Sequence, residues 1–493
     1  MNGSDPPVLF VERMLAQPGH APASGPVAIR WRNGRIASIE PVGEVPAEAA
    51  GLIALPAPVN AHDHGRGVRT LSFGAADEML ESWLVLLARE PKVDPYLRAA
   101  VAFARMVEGG VCAANHCHNT QVSAELLAEA EGVSRAARDV GLRVAFAVPF
   151  IGRNQVVYGD WQALLDKLEP ADREMVTARL GKGRSLAEGL ALTEAIAAFE
   201  HEFFQVQYGP VGPQWVDDAT LSAIARASAR TGRRVHMHLL ETRYQREWAD
   251  HAYPAGLIAH LDALGLLSPR LTLAHGVWLT RDESAVLARR GVCLSVNTSS
   301  NLRLRSGRAP VEDFCGVGLD FGLGLDGMSF DDDEDMLREM RLFWHLQQGV
   351  CDAEILDPAH LFDAAAVVGR RSVVGQDGGG YLAEGAPADL IVLDMADMAG
   401  DSLVRDGDPL AFLLTRMSKR HIRRLIVGGR TVVRDGRCVS VDRAQLEHAL
   451  RASALESTAF AEGGLSRLQE GVRAFYRCGC HGGVGMTPSP STR

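Results

Sequence analysis

PAPVNAHDHGRG, Pro56 to Gly67, places two histidines on either side of one aspartate at the close of an apolar run. Side chains alternate across a strand, so His62 and His64 share one face. Glycines follow at once, and the strand ends there. In a parallel barrel, the C-terminal ends of the strands form the mouth in which active sites sit. The same texture recurs downstream: LRVAFAVPF (142–150), FFQVQYGP, RRVHMHLLE, LTLAHGV, VCLSVNT and FGLGLDG are short apolar runs. Helical stretches such as DDATLSAIARASART and RDESAVLARR lie between them. Repeated strand–helix order over some three hundred residues predicts an α/β fold, a (β/α)8 TIM barrel over residues 57–383.

The two ends of the chain read differently. GPVAIRWRNGRIASIEPV alternates apolar and polar residues around an Asn33-Gly34 hairpin turn. ADLIVLDM and IRRLIVGGRTVVRDGRCVSV repeat that pattern near the C-terminus. Residues 1–56 and 384–442 are therefore expected to share one small β-sandwich-like domain. Residues 443–493 are expected to hold one helix, near DRAQLEHALRASALES, and then a disordered Gly-, Pro- and Ser-rich tail, CGCHGGVGMTPSPSTR.

Composition narrows the class. A net charge of −10 argues against nucleic acid as the main partner. No apolar run reaches the ~18–20 residues that span a bilayer, and the first residues lack a signal-peptide pattern, so no membrane partner and a cytoplasmic location are expected. The eight scattered cysteines read as reduced thiols. The lysines are Lys92, Lys167, Lys182 and Lys419 alone, and none lies in a candidate barrel strand.

A lone His-x-His pair is weak evidence for a metal, although neutral imidazoles suit zinc or ferrous iron. The other strand ends strengthen it. HMHLLET carries His236, His238, Glu241 and Thr242; LAHGVW carries His275; GLGLDGMSF carries Asp326. Each polar residue falls where an apolar strand yields to glycine or a loop. Independent packing of all of them as satisfied core polar groups is the blander reading and the less economical one.

In LIALPAPVNAHDH, HMHLLET, LAHGVWL, NTSSNLRLRSGRAPV, GLGLDGMSFDDDEDMLREMRL, ADLIVLDM and IVGGRTVVRDGR, taken in order, the chain resembles the amidohydrolase superfamily. The nearest branch is the cytosine deaminase-like and triazine hydrolase-like one, and the resemblance covers nearly the whole chain. It implies one divalent metal per chain, zinc before iron or manganese, held by His62 and His64 of the first barrel strand, His238 of the fifth and Asp326 of the eighth. It implies His275 as a hydrogen-bonding partner of the attacking water or the developing oxyanion. Asp326 would take the water's proton and Glu241 would protonate a ring nitrogen. Relatives with two metals bridge them through a carboxylated lysine, and here no barrel strand offers one. The implied activity is hydrolysis of a C–N bond other than a peptide bond, by metal-bound hydroxide: deamination of a small nitrogen heterocycle. Alternatives are opening of a cyclic amide, displacement of chloride or sulfur from a ring, and an inactive metal-binding scaffold. Relatives often form homodimers.

Departures from the family pattern fall in the substrate pocket. Where many relatives have a histidine after the fourth strand, this chain reads GPVGPQWVDD, with Val211 there and Gln214 and Trp215 beyond. In CAANHCHNTQ, His116, Cys117 and His118 offer either a second metal site or a substrate contact, with His118 the candidate contact; the blander reading has one histidine facing the pocket and the other packed behind it. Trp83, Arg153 and Arg305 complete the candidate lining, the arginines because a guanidinium pairs with carboxylates; Arg303 and Arg308 flank the last. The DDDED run (331–335) reads as the acidic start of a helix. GQDGGGYL (375–382) lacks the lysine of a phosphate loop.

Overall fold

The computed structural model describes residues 7–152, 156–177, 183–349, 355–404, 407–457 and 462–482. Eight strands form one parallel sheet in chain order: β1 (Val59–Asp63), β2 (Ala113–Cys117), β3 (Arg143–Phe150), β4 (Phe204–Pro210), β5 (Val235–Leu239), β6 (Leu271–His275), β7 (Cys293–Val296) and β8 (Phe321–Leu323). Just beyond β8 the Asp326 N–H donates to the His62 carbonyl at 2.9 Å, which brings the last strand back to the first. Strands covered on both faces must be apolar throughout, and β2, β5, β6 and β7 are buried at every residue.

Local signals set the helices between strands. Asp217 caps Asp218–Thr231 by accepting from the Thr220 N–H, and Gly232, at φ 74°, ends it. Thr280 and Glu283 make a reciprocal capping box at the start of Arg281–Arg289. In the acidic run, Asp335 is the N-cap of Met336–Gln347, while Asp331 and Asp333 pair with Arg338.

Two further sheets stand outside the barrel. One is antiparallel, from Val8–Val11, Val27–Arg32 and Arg35–Pro41, its hairpin turned by Asn33 (φ 51°) and Gly34 (φ 75°). The other joins both ends of the chain: Arg13–Met14 and Leu52–Pro56 with Leu390–Asp394, Ile422–Val427, Arg430–Arg434 and Arg437–Cys438. Val11, Ile29, Trp31, Leu390 and Ile426 pack between them as a second core.

The C-terminal region departs from expectation. After the helix Arg443–Glu456 a second helix, Glu462–Arg477, packs across the short helix Leu80–Leu86. Its apolar anchors, Leu465, Leu468, Val472, Phe475 and Tyr476, recur at helical spacing and are buried; a reading tuned to the tail's glycines passes over them. Residues 483–493 of the expected tail lie outside the described residues. Cys478 is bonded to Cys480, correcting the expectation that all cysteines are free thiols. Among the described residues no helix is long and apolar enough to cross a membrane.

Candidate active site

Four side chains converge at the C-terminal ends of β1, β5 and β8. Asp326 Oδ1 lies 3.0 Å from His62 Nε2 and 3.2 Å from His64 Nε2, and His238 Nε2 is 3.4 Å from His64 Nε2. All four residues are buried. Their outer partners fix the tautomers. His64 Nδ1 faces the Cys117 carbonyl at 2.8 Å and His238 Nδ1 the Val211 carbonyl at 2.7 Å, so each Nδ1 carries the proton and donates it. Burial holds the His64 imidazole neutral, pushing it down to about 4, and holds His238 well below the ordinary histidine range. Their Nε2 atoms are therefore bare lone pairs. His62 Nδ1 sits 2.7 Å from His236 Nε2 and the two rings stack at 4.9 Å. Lone pairs and a carboxylate oxygen crowded this closely repel one another unless a cation lies among them. Imidazoles with outer hydrogen-bond partners are the usual setting of such an ion, so these residues fit a divalent metal; His62, His64 and Asp326 present ligand atoms all within 4.8 Å of one another.

Burial opposes the Asp326 charge, but the facing imidazole of His62 outweighs it and holds the carboxyl well below the ordinary range. Its second oxygen accepts from Ser300 Oγ at 2.5 Å.

The chain turns sharply between His238 and Glu241. Leu240 adopts φ 45°, a left-handed conformation that costs a non-glycine residue about 1 kcal/mol or more. The turn sends Glu241 onto a different course from the strand. Its carboxyl, 3 % exposed, is pushed up to about 7 by burial. Ser306 Oγ donates to it at 3.3 Å, and His275 Nε2 lies 3.6 Å away. His275 and Asp326 are themselves left-handed, at φ 77° and 61°. His275 Nδ1 is held by the amides of Asn301 (3.0 Å) and Asn297 (3.2 Å), leaving Nε2 toward Glu241. Behind Glu241, Gln245 Oε1 accepts its backbone N–H at 2.8 Å, and Gln245 Nε2 donates to the Tyr158 hydroxyl. Tyr158 and Thr242 in turn donate to the buried Glu81, and the Tyr158 N–H donates to the hydroxyl of Tyr476.

The remaining candidates divide. Trp83, Gln214 and Trp215 are buried, Trp83 on the helix Leu80–Leu86 and the others in the turn after β4. Arg153 lies outside the described residues. Arg305 is exposed, and Arg303 is taken up by Asp77 and Asp332. His118 is engaged elsewhere: its Nε2 is 2.8 Å from Glu129 on the helix Leu126–Val140, and its Nδ1 meets His116 Nε2 at 3.1 Å. Asn115 and Cys117 are the inward residues of β2; Asn115 bonds Gln207 of β4, and the Cys117 thiol lies within 4.8 Å of the ligand atoms of His64 and His238. His116 and His118 consequently face the helical layer rather than the mouth. Sequence reading passed over Arg66, buried beside Asp326, although an arginine two residues after His64 and set between two glycines was its signal.

Residues 53–432 match the family model described as "Amidohydrolase family". Among curated proteins the chain is similar to the 5-methylthioadenosine/S-adenosylhomocysteine deaminase of Moorella thermoacetica, at 29% identity over 86% of this chain and 95% of that one. It is also similar to the 5'-deoxyadenosine deaminase of Methanothermobacter thermautotrophicus, at 26% identity over 83% and 89%. Among solved structures, an atrazine chlorohydrolase mutant of Arthrobacter aurescens complexed with zinc and atraton superposes with a TM-score of 0.76 at 20% identity, over 91% of this chain and 99% of that one. A zinc-bound adenosine deaminase of Xanthomonas campestris gives 0.70 at 22% identity, over 95% and 98%.

Proposed function

The chain belongs to the amidohydrolase family, and from that premise we propose that it is a zinc-dependent aminohydrolase that releases ammonia from a small nitrogen heterocycle. The observation that carries this is the convergence of bare imidazole lone pairs and Asp326 beside a carboxyl, Glu241, that holds its proton to about 7. The named deaminases among its relatives support the choice of leaving group.

His62, His64, His238 and Asp326 would hold one ion. When bound, such an ion acts as a Lewis acid and brings the pKa of water from 15.7 toward about 7. Asp326, whose Oδ1 lies at the cluster, takes the proton of the attacking water. Glu241 delivers a proton to the ring nitrogen next to the attacked carbon, so charge does not build up on the ring. His275, fixed by Asn297 and Asn301, orients its Nε2 toward the reacting centre. The two carboxyls are driven in opposite directions, Asp326 down by His62 and Glu241 up by burial, which is the separation that base and acid roles require.

The test is ammonia release by zinc-loaded protein from a panel of adenosine-type nucleosides, aminopyrimidines and aminotriazines, with and without a chelator. Chelator-sensitive ammonia from at least one ring is expected. Protein that holds its metal yet frees ammonia from none would refute the proposal.

A further inference from the structure

Among the described residues four arginines are buried: Arg66 (5 %), Arg98 (4 %), Arg105 (8 %) and Arg370 (2 %). Three have carboxylate partners. Arg98 pairs with Glu90, Arg105 with Glu447, and Arg370 with both Asp377 and Asp389. Arg66 has none within 4.0 Å among the described residues. Its contacts are long: Nη1 to the Asp326 carbonyl at 3.5 Å and Nη2 to Asn119 Oδ1 at 3.4 Å, while Nε is buried without a partner.

The acids that surround it are committed elsewhere. Asp63 accepts from Asn60 and from the N–H groups of Gly65 and Gly327. Asp326 turns to the histidine cluster and Ser300. Glu90 serves Arg98. A buried cation without its counter-ion is unfavourable, so proteins keep one where something else supplies the charge. Arg66 follows the metal-ligand candidate His64 by two residues, and its guanidinium lies 5.3 Å from the centre of the Trp83 ring. Trp83 Nε1 is a second buried donor without a partner. Arg66 Nε and Trp83 Nε1 are thus unpaired donors on two side chains in cation–π contact, and the planar guanidinium is complementary to a carboxylate, which it takes by paired hydrogen bonds.

We propose that Arg66 and Trp83 form the subsite that binds an acidic group of the substrate, and that this substrate is an amino-substituted nitrogen heterocycle bearing a carboxylate. The inference rests on the deaminase reading for the ring, but its own test is binding. Aminopyrimidine, aminopyridine and aminotriazine carboxylates, each beside its methyl ester, are titrated calorimetrically into zinc-loaded wild type, Arg66→Met and Arg66→Lys. At least one acid should bind the wild type 30-fold or more tighter than its ester. Arg66→Met should bring the pair to within about threefold, and Arg66→Lys should keep part of the preference. Metal content should be unchanged in both variants, and the melting temperature of Arg66→Met should hold or rise, because no internal ion pair is lost. Equal binding of acids and esters by the wild type would overturn the subsite. So would a preference that survives Arg66→Met, which would place the carboxylate on the metal, or a variant that melts early or loses zinc, which would make Arg66 structural. Ammonia assayed in the same samples separates the two claims. Acid-selective binding without ammonia leaves the subsite and removes the deaminase; ammonia from rings without acid selectivity does the reverse.

Discussion

Two His-x-His pairs end neighbouring strands of the same barrel, His62/His64 on β1 and His116/His118 on β2, and they do opposite things. The first pair points into the mouth with its Nε2 atoms facing Asp326. The second points outward, packed among Phe103 and Phe146 and closed off by Glu129. An irregularity in the β1–β2 ladder between Asn60 and Asp63 sets Asp63, rather than His62, opposite His116. Paired residues share a face, so one residue of register decides which pair reaches the chemistry. Identical spacing thus carries no function until the register is known.

The sharpest way to break this contrast is to remove one ring from each pair. His62→Ala and His238→Ala should lose the metal and at least ~10³-fold in kcat/KM, about 4 kcal/mol of barrier. His118→Ala should keep one metal per chain and act on stability instead. Metal analysis with parallel kinetics decides it; zinc lost from His118→Ala, or two zinc ions needed for full activity, would restore a metal role to the outer pair. Glu241→Gln comes next. It keeps size and hydrogen-bonding reach and removes the titrating proton, so metal and fold should persist while kcat falls ~10²–10⁴-fold. Release of the metal would make Glu241 a ligand, and undiminished turnover would pass the proton to His275.

What was legible in the sequence follows from what a strand pattern encodes. Apolar runs ending in His62, His64, His238, His275 and Asp326 gave both the barrel strands and the cluster, because strand ends and mouth are one place. The bend before Glu241 was readable too, since a residue three past His238 cannot keep the strand's course. The outward turn of His118 was not, because it depends on a ladder irregularity that no single strand records. Nor was the idle state of Arg66, which is defined by carboxylates that are distant in sequence and already engaged. The helix Glu462–Arg477 was hidden by the composition of the tail that follows it.

The same inside–outside contrast governs two glutamates and gives a pH prediction. Burial lifts Glu241 to about 7, whereas Glu129, also lifted by burial, is brought down to about 2 by His118 and backbone N–H groups. Glu241 in the metal-free fold holds a proton that the unfolded chain gives up near 4.5, so its stabilising contribution is complete below about 4.5 and is lost as pH rises to about 7. That loss is about 3 kcal/mol by linkage. Glu129 works in the opposite sense, contributing above about 4.5 and failing as pH falls toward 2. Denaturant melts of apo wild type and apo Glu241→Gln from pH 4.5 to 7.5 should diverge through this window, with the variant flatter. Parallel curves would show that Glu241 titrates normally.

The smallest effect should come from His116→Phe. His118 Nε2–H donates to Glu129, so His118 Nδ1 is left to accept from His116 Nε2–H, and His116 Nδ1 is buried without a partner. Removing the His116 ring therefore deletes one hydrogen bond and the unmet His116 Nδ1, and leaves His118 Nδ1 as an unmet acceptor in its place. The two unmet acceptors offset one another, and the balance is the loss of one hydrogen bond, about 1 kcal/mol. A phenyl ring suits the space, since the imidazole already lies 5.7 Å from Phe103 and 5.6 Å from Phe146 in aromatic contact. His116→Phe should stay within about 1 kcal/mol of wild type in urea melts, hold one zinc, and keep kcat/KM within about threefold, a barrier change under about 1 kcal/mol. A tenfold loss of kcat/KM with full zinc content would mean that the outer pair reaches the mouth through His64 or Gly65, and the separation of the two His-x-His pairs would fail at that point.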